Sequence, residues 1–145
     1  MRFIVAIISI FFTLVSSCTL SNRHEIQFDC DGSTIKTGGA TIEVVETGNN
    51  MTARMSNRDG DVILAWNMNG KSPGDWAGER FRGTHIEIKC QQYNCEYSDN
   101  KVGILIEVTD VTGRTVSGKF SGLVGFGDNA HKIDNGVFRA YIKAE

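Results

Sequence analysis

One long segment of the chain, residues 67–83, contains the residue types best suited to recognising a partner. It has no regular hydrophobic pattern and holds the only proline of the sequence. Aromatic rings and arginines are enriched at binding hot spots, and this segment contains both. The candidate binding residues are Asp75, Trp76, Arg80, Phe81 and Arg82.

Two structural roles are open to this segment. A connection of this length inside a compact domain is usually either functional or disordered, and its two aromatic residues argue against disorder. We expect Trp76 and Phe81 to plug the open end of a β-sandwich while the charged side chains stay in solvent. The alternative is a recognition loop, and the two roles are compatible.

A second group of polar residues follows the sequence Gly-Phe-Gly. Asp128, His131 and Asp134 are spaced three residues apart, which would suit one face of a helix and a metal or acid–base role. The surrounding glycines and the sequence Asp134, Asn135, Gly136 instead predict a hairpin loop. The chain also lacks the Gly-x-Ser-x-Gly elbow of a serine hydrolase. We expect no bound metal, no cofactor and no enzymatic activity.

The cysteines indicate an exported protein with a disulfide bond. Cys90 and Cys95 enclose four residues between two β-like runs, and residues that flank a hairpin loop of this length can lie within disulfide distance. We expect this local pair, with Cys30 left as a buried apolar residue. The alternative is a longer-range bond from Cys30 to Cys90 or to Cys95.

The N-terminal segment has the layout of a signal peptide. Arg2 is followed by an apolar run at residues 3–15 and then by small residues. A membrane-spanning helix needs about 20 apolar residues, so this run is too short to remain as one. We expect residues 1–17 to be removed.

The end of this segment resembles the lipobox of bacterial lipoproteins. Val15, Ser16, Ser17 and Cys18 match its aliphatic residue, its two small residues and its invariant cysteine. The resemblance implies that Cys18 carries lipid and that residues 18–24 form a tether. It also implies sorting to the outer membrane, facing the periplasm, because Thr19 rather than Asp follows the cysteine. If Cys18 is not acylated, the protein is simply secreted.

The rest of the chain alternates apolar and polar residues in short runs separated by turn sequences. Inward-facing residues in two of these runs are Ile42 and Val44, and Ile86 and Ile88. No segment has a sustained helical period, so crossover helices are absent and a parallel α/β fold is excluded. We predict an all-β fold for residues 25–145, a single antiparallel β-sandwich or β-barrel-like domain. The candidate strands are residues 25–29, 33–36, 41–46, 51–56, 62–67, 85–90, 96–98, 102–109, 115–124 and 137–143.

Two further resemblances concern the β domain. Residues 117–122, Ser-Gly-Lys-Phe-Ser-Gly, and residues 133–138, Ile-Asp-Asn-Gly-Val-Phe, are similar to a terminal hairpin of uncharacterised bacterial lipoprotein β-domains, which implies no particular activity. Phe28, Asp29 and Cys30 after a lipobox also resemble periplasmic lysozyme inhibitors. The Ser-Gly-x-x-Tyr motif of those inhibitors has no clean match, because residues 117–120 end in Phe.

Composition and charge narrow the function classes. The chain has 145 residues, 15 basic and 17 acidic, with a net charge of −2, which excludes the basic surface of a nucleic-acid binder. We expect an envelope lipoprotein held at the membrane by its lipid. It would act as a non-enzymatic binding module whose end loops take a protein or small ligand in the periplasm. The alternative is an inhibitor or immunity protein that blocks a cell-wall hydrolase of the lysozyme type.

Overall fold

Ten β-strands form the fold, as the sequence predicts. The computed structural model describes residues 23–93, 95–100 and 102–144, so the leader and the predicted lipidation site, Cys18, lie outside the described residues. Each strand other than the central β5 alternates apolar and polar residues over much of its length. The strands are β1 (Glu25–Cys30), β2 (Ser33–Gly38), β3 (Thr41–Thr47), β4 (Asn50–Ser56), β5 (Val62–Asn67), β6 (Arg80–Cys90), β7 (Cys95–Asp99), β8 (Val102–Thr112), β9 (Thr115–Val124) and β10 (His131–Ile142).

Two strands begin at least five residues before their predicted starts. β6 begins at Arg80 and β10 begins at His131, because both strands continue the inward–outward alternation toward the N-terminal side. Phe81 points inward in β6 while Arg80 and Arg82 point to solvent. The long connection between β5 and β6 is therefore limited to residues 68–79.

The strands form two layers that join at two corners. One layer has the order β2-β1-β10-β9-β8 and the other has the order β3-β4-β5-β6-β7. At one corner Tyr141 and Ile142 of β10 pair in parallel with Thr41 and Ile42 of β3. At the other corner the start of β6 pairs with β8. The fold is thus sandwich-like with a sheet that closes on itself, and the β10–β3 corner makes the otherwise antiparallel sheet mixed.

The core lies between the two layers. Trp66 of β5 is fully buried, and its ring centroid lies 6.4 Å from that of Phe138 in the opposite layer. The predicted inward residues Ile42, Ile86 and Ile88 are buried, and Val44 is half-buried. β5 is buried on both of its faces from Val62 to Trp66, as its continuous apolar run predicts for a central strand.

Two phenylalanines and two glycines pack reciprocally between β9 and β10. Gly118 lies opposite Phe138, and Phe120 lies opposite Gly136. A Cβ atom on Gly118 would lie 2.5 Å from the Phe138 ring, and one on Gly136 would lie 2.2 Å from the Phe120 carbonyl oxygen. Each ring therefore covers the glycine of the neighbouring strand, which explains why the two motifs of the terminal hairpin share this Gly–Phe spacing.

The predicted turn at residues 134–136 is corrected. These residues lie inside β10, where the register between β9 and β10 shifts between Ile133 and Gly136. Asn135 takes a positive φ of 50°, a conformation that Asn tolerates better than most residues. The sequence signature of a turn instead produces a β-bulge.

The predicted Cys90–Cys95 disulfide is also corrected. Cys95 bonds to Cys30 with a Cα–Cα distance of 6.3 Å, and Cys90 is a buried free thiol. Cys90 and Cys95 do lie opposite each other in the β6–β7 register. Cys30, however, reaches Cys95 from β1 across the core, so the bond ties one layer to the other, as one alternative from the sequence had it.

The described chain begins in contact with the ends of β2 and β10. The carbonyl oxygen of His24 accepts hydrogen bonds from the backbone N–H groups of Gly39 (2.8 Å) and Ala40 (3.3 Å). The ring centroid of His24 lies 5.7 Å from that of Tyr141, and the His24 Nε2 atom lies 3.4 Å from the Thr115 hydroxyl. The start of the β domain is thus fixed beside the β8–β9 turn and the C-terminal end of β10.

Candidate functional site

The two aromatic residues of the predicted recognition loop lie in the core. Trp76 is 0% exposed and Phe81 is 1% exposed. Their ring centroids are 5.9 Å apart, and Trp76 lies 5.8 Å from Trp66. They plug the interior, as the sequence favours, and the assignment of Trp76 and Phe81 as binding residues is corrected because neither ring is exposed.

The charged residues of the same prediction are exposed but separate. Asp75 ends a short 3₁₀ helix, Pro73–Asp75. Arg80 lies on the outer face of β6, where its Nε is 3.2 Å from a carboxylate oxygen of Glu107. Arg82 follows on the same face. The structure does not gather these three residues around a common cavity.

One concave site is a groove at one end of the sandwich, which we call the end groove. It is open to solvent and has a volume of about 740 Å³, within the range of about 300–1,000 Å³ that ligand sites occupy. Four parts of the chain surround it: β3 with the start of β4, the β5–β6 connection, the β8–β9 turn and the end of β10. The lining residues are Glu43, Val44, Val45, Met51, Met68, Gly70, Lys71, Ser72, Pro73, Arg114, Ile142, Lys143 and Ala144.

Backbone and side-chain hydrogen bonds fix the loop that forms one wall of the end groove. The N–H of Met68 donates to the carbonyl of Met51 at 3.1 Å, and the N–H of Lys71 donates to the carbonyl of Met68 at 2.9 Å. The indole Nε1 of Trp76 donates to the Lys71 carbonyl at 3.1 Å. The buried tryptophan therefore positions the wall without touching the groove.

The end groove has apolar lining residues that are partly open to solvent. Val45 is 38% exposed and Met51 is 45% exposed, whereas Met68 is 3% exposed. Val44 and Ile142 are partly buried and pack against the core. This apolar surface could be covered by a ligand at no cost in polar desolvation.

Three basic side chains, two of them balanced by carboxylates, surround this apolar surface. Lys71 Nζ lies 2.7 Å from Glu79, and Lys143 pairs with Glu43. The hydrogen bond from Lys143 holds the pKa of Glu43 below its ordinary value. Arg114 instead stacks near Tyr141, with its Cζ 5.9 Å from the ring centroid, and has no carboxylate within ion-pair distance among the described residues.

A second cluster of polar side chains lies at the opposite end of the molecule, near the β1–β2 hairpin. His131 Nδ1 lies 2.6 Å from Asp31, and both lie within 4.8 Å of the Cys30 sulfur. That sulfur is in the disulfide and is not available as a thiolate ligand. Asp134, which the sequence grouped with His131, pairs with Lys132. This cluster leaves two metal-ligating side chains, fewer than the three or four of a zinc site.

The segment compared with the inhibitor motif lies in the middle of a sheet. Residues 117–120 belong to β9, which pairs with β8 on one side and with β10 on the other. Gly118 there makes room for the Phe138 ring. The segment is not a protruding loop that could enter the active site of another protein.

Sequence reasoning missed the end groove because four separate parts of the chain form it. Two local signals point toward it. Val45 is apolar at an outward position of β3, and Met51 is an isolated apolar residue directly after a polar turn. Arg114 and Lys143 carry no local signal, since each is an ordinary basic residue beside a turn or a strand end.

Comparisons of the chain with protein families, with curated proteins and with solved structures give no match. Among the described residues, no helix has the length and apolar character needed to cross a membrane.

Proposed function

We propose that this protein is a lipid-anchored, non-enzymatic binding module of the bacterial envelope and that the end groove is its binding site. The observation that carries the proposal is the combination of exposed apolar side chains, Val45 and Met51, with the basic residue Arg114 in one concave surface. Sites that hold a ligand without chemistry are mostly apolar with a few placed polar groups. The lipobox-like sequence at Cys18 supports the location.

Photo-crosslinking in intact envelopes tests the binding site. A photoreactive residue placed at Met51 should form adducts with a partner. A matched control at Tyr93 should not, because Tyr93 is similarly exposed, at 40%, but lies beyond the disulfide at the far end of the molecule. Equal adducts at both positions, or none at Met51, would contradict a site in the end groove.

Membrane fractionation tests the lipid anchor separately. The wild-type protein should sediment with outer membranes. Cys18→Ser, which cannot take the lipid, should be released into the soluble periplasmic fraction. A wild-type chain that is itself soluble would show that Cys18 carries no lipid, while the binding site would remain open to the crosslinking test.

A further inference from the structure

We propose that the end groove holds an extended peptide segment, which adds as a strand to the free edge of β3 and places an acidic residue beside Arg114. The proposal rests on the function proposed above and names the class of ligand that the same site takes.

The first argument is the unpaired edge of β3. β10 pairs with this edge at Thr41 and Ile42. The N–H of Lys143 donates to the Ile42 carbonyl at 2.9 Å, and the N–H of Tyr141 donates to the Ala40 carbonyl at 3.1 Å. Backbone groups of alternate residues in a strand point to the same side. The N–H and C=O groups of the next alternate residues of β3 therefore point to this same edge, beyond the point where β10 ends.

Those next residues are Val44 and Glu46. No strand in the described parts of the chain pairs with them on this side, because β4 pairs with the other edge of β3. Unpaired strand edges are ready templates for another strand, and strand addition is a common mode of peptide recognition. A peptide lying here would continue the parallel pairing that β10 begins.

The second argument is that the end groove begins where β10 ends. Val44 and Val45 form its wall along the β3 edge, and Lys71 and Pro73 form part of the wall contributed by the loop. An extended chain advances about 3.3 Å per residue, so the edge from Glu43 to Thr47 accommodates about four residues. Alternate side chains of such a peptide would point toward the apolar surface and away from it.

The third argument is charge. Lys71 and Lys143 are already paired with carboxylates, whereas the Arg114 guanidinium has a hydrogen bond and a ring contact only with the Tyr141 side chain among the described residues. A guanidinium group binds a carboxylate with two parallel hydrogen bonds. An acidic peptide side chain beside Arg114 would supply a carboxylate, which none of the described residues provides there.

The experiment selects peptides from a phage-displayed library of random eight-residue sequences on the mature chain, made soluble by Cys18→Ser. Selected peptides should contain an Asp or Glu, and their affinity should fall at least tenfold for Glu46→Pro, which removes the edge N–H. Glu46→Ala keeps that N–H and should retain binding. Proline is compatible with an edge strand, so Glu46→Pro should fold.

Lys36→Pro is the matched control, because Lys36 lies on β2, which pairs with β1 alone among the described strands and is remote from the end groove. It should bind the peptides as the parent chain does. If Glu46→Pro does not fold, backbone N-methylation of the selected peptides replaces it and should also reduce affinity at least tenfold. Reversal of charge, Arg114→Glu, should favour peptides in which the acidic residue is replaced by Lys.

Two results would overturn the proposal: a library that yields no binder, or binders unaffected by both Glu46→Pro and N-methylation. Binding of lauric acid, measured in parallel, with no peptide binding would assign the groove to an acyl ligand. None of these results would overturn the binding module itself if Met51 still gives specific crosslinks. The proposal of a peptide ligand and the proposal of a binding module therefore fail separately.

Discussion

Cys90 is a free thiol placed directly beside a disulfide. It faces Cys95 in the β6–β7 register, while Cys95 is bonded to Cys30. Burial, reinforced by the nearby carboxylate of Asp61, raises the pKa of the Cys90 thiol. Because the thiolate is the attacking species in disulfide exchange, the raised pKa protects the Cys30–Cys95 bond from its neighbour.

Substitutions of the three cysteines of the β domain, Cys30, Cys90 and Cys95, should reduce the free energy of unfolding by unequal amounts. The native bond spans 65 residues, so losing it costs about 4 kcal/mol in the chain-entropy model. In Cys30→Ala, Cys95 is free to bond with Cys90, and the short loop recovers about 2 kcal/mol. In the double variant Cys30→Ala/Cys90→Ala no thiol partner remains for Cys95 among the described residues, so it should be about 2 kcal/mol less stable than Cys30→Ala.

Urea unfolding and peptide mapping without reductant check this difference. The map of Cys30→Ala should contain a Cys90–Cys95 bond. Two free thiols in Cys30→Ala, with equal stability of the two variants, would contradict the expectation.

Asp31 contributes a pH-dependent part of the stability. The hydrogen bond from His131, and then that from the Lys132 N–H, lower the pKa of Asp31 below 3.8. A carboxyl group with a lowered folded-state pKa stabilises fully above its unfolded pKa, and this contribution is lost as pH falls through the folded pKa. Asp31→Asn should therefore be less stable than the wild type at neutral pH and should converge with it as the pH falls through the folded-state pKa.

Unfolding midpoints of the two proteins across this pH range provide the measurement. Asp75→Asn, which changes an exposed carboxylate of the β5–β6 connection, is the control and should leave the midpoint unchanged at every pH. A difference between Asp31→Asn and wild type that persists at low pH would show that the effect is not that of the ionised carboxylate.

At the scale of elements, the loop between β5 and β6 shows how one buried side chain shapes an exposed surface. Trp76 fills the core and donates its indole N–H to the Lys71 carbonyl in the wall of the end groove. Trp76→Phe keeps most of the ring but leaves this carbonyl without its partner. We expect a loss of about 2 kcal/mol, against about 4 kcal/mol for Trp76→Ala.

Amide hydrogen exchange distinguishes the role of Trp76 in fixing the loop from its role in filling the core. In Trp76→Phe, the amides of the loop should exchange faster while those of β5 stay protected. Uniformly faster exchange throughout the protein would mean that Trp76 contributes only to global stability. Asp75→Ala, one residue away and exposed, should change neither property.

The reciprocal packing of glycine and phenylalanine makes β9 and β10 intolerant of small additions. A methyl group on Gly136 would meet the backbone carbonyl oxygen of Phe120, which has little freedom to move. We expect Gly136→Ala to destabilise the protein by about 3 kcal/mol. Gly74→Ala is the control, since a Cβ atom there meets nothing within 4 Å and its φ is not positive; thermal unfolding of both variants checks the difference.

At the scale of the whole molecule, sequence predicted the parts better than their assembly. Alternation of apolar and polar residues places a strand on one face of a sheet, and this local signal is present in β3 and β6. Pairing at the β10–β3 corner joins residues about a hundred positions apart, and no local pattern specifies it. The same limit explains the Cys90–Cys95 prediction, because the position of Cys30 opposite Cys95 depends on how the layers stack.

Local sequence patterns also failed to specify the candidate site. Trp76 and Phe81 have the composition of a hot spot, but composition does not distinguish a ring that faces a ligand from one that faces the core. The end groove needs β3, the loop, the β8–β9 turn and β10 together, so it exists only once the fold has closed.

The position of His24 has a consequence for how this protein would meet its partners. His24 contacts Thr115 and Tyr141, which directly adjoin Arg114 and Ile142 of the end groove. If Cys18 carries lipid, the few residues before His24 reach at most about 20 Å. The groove would then open close to the bilayer surface, so that molecules confined to that thin layer would encounter it at a high effective concentration. Lengthening the tether would dilute that encounter without altering a single contact in the site.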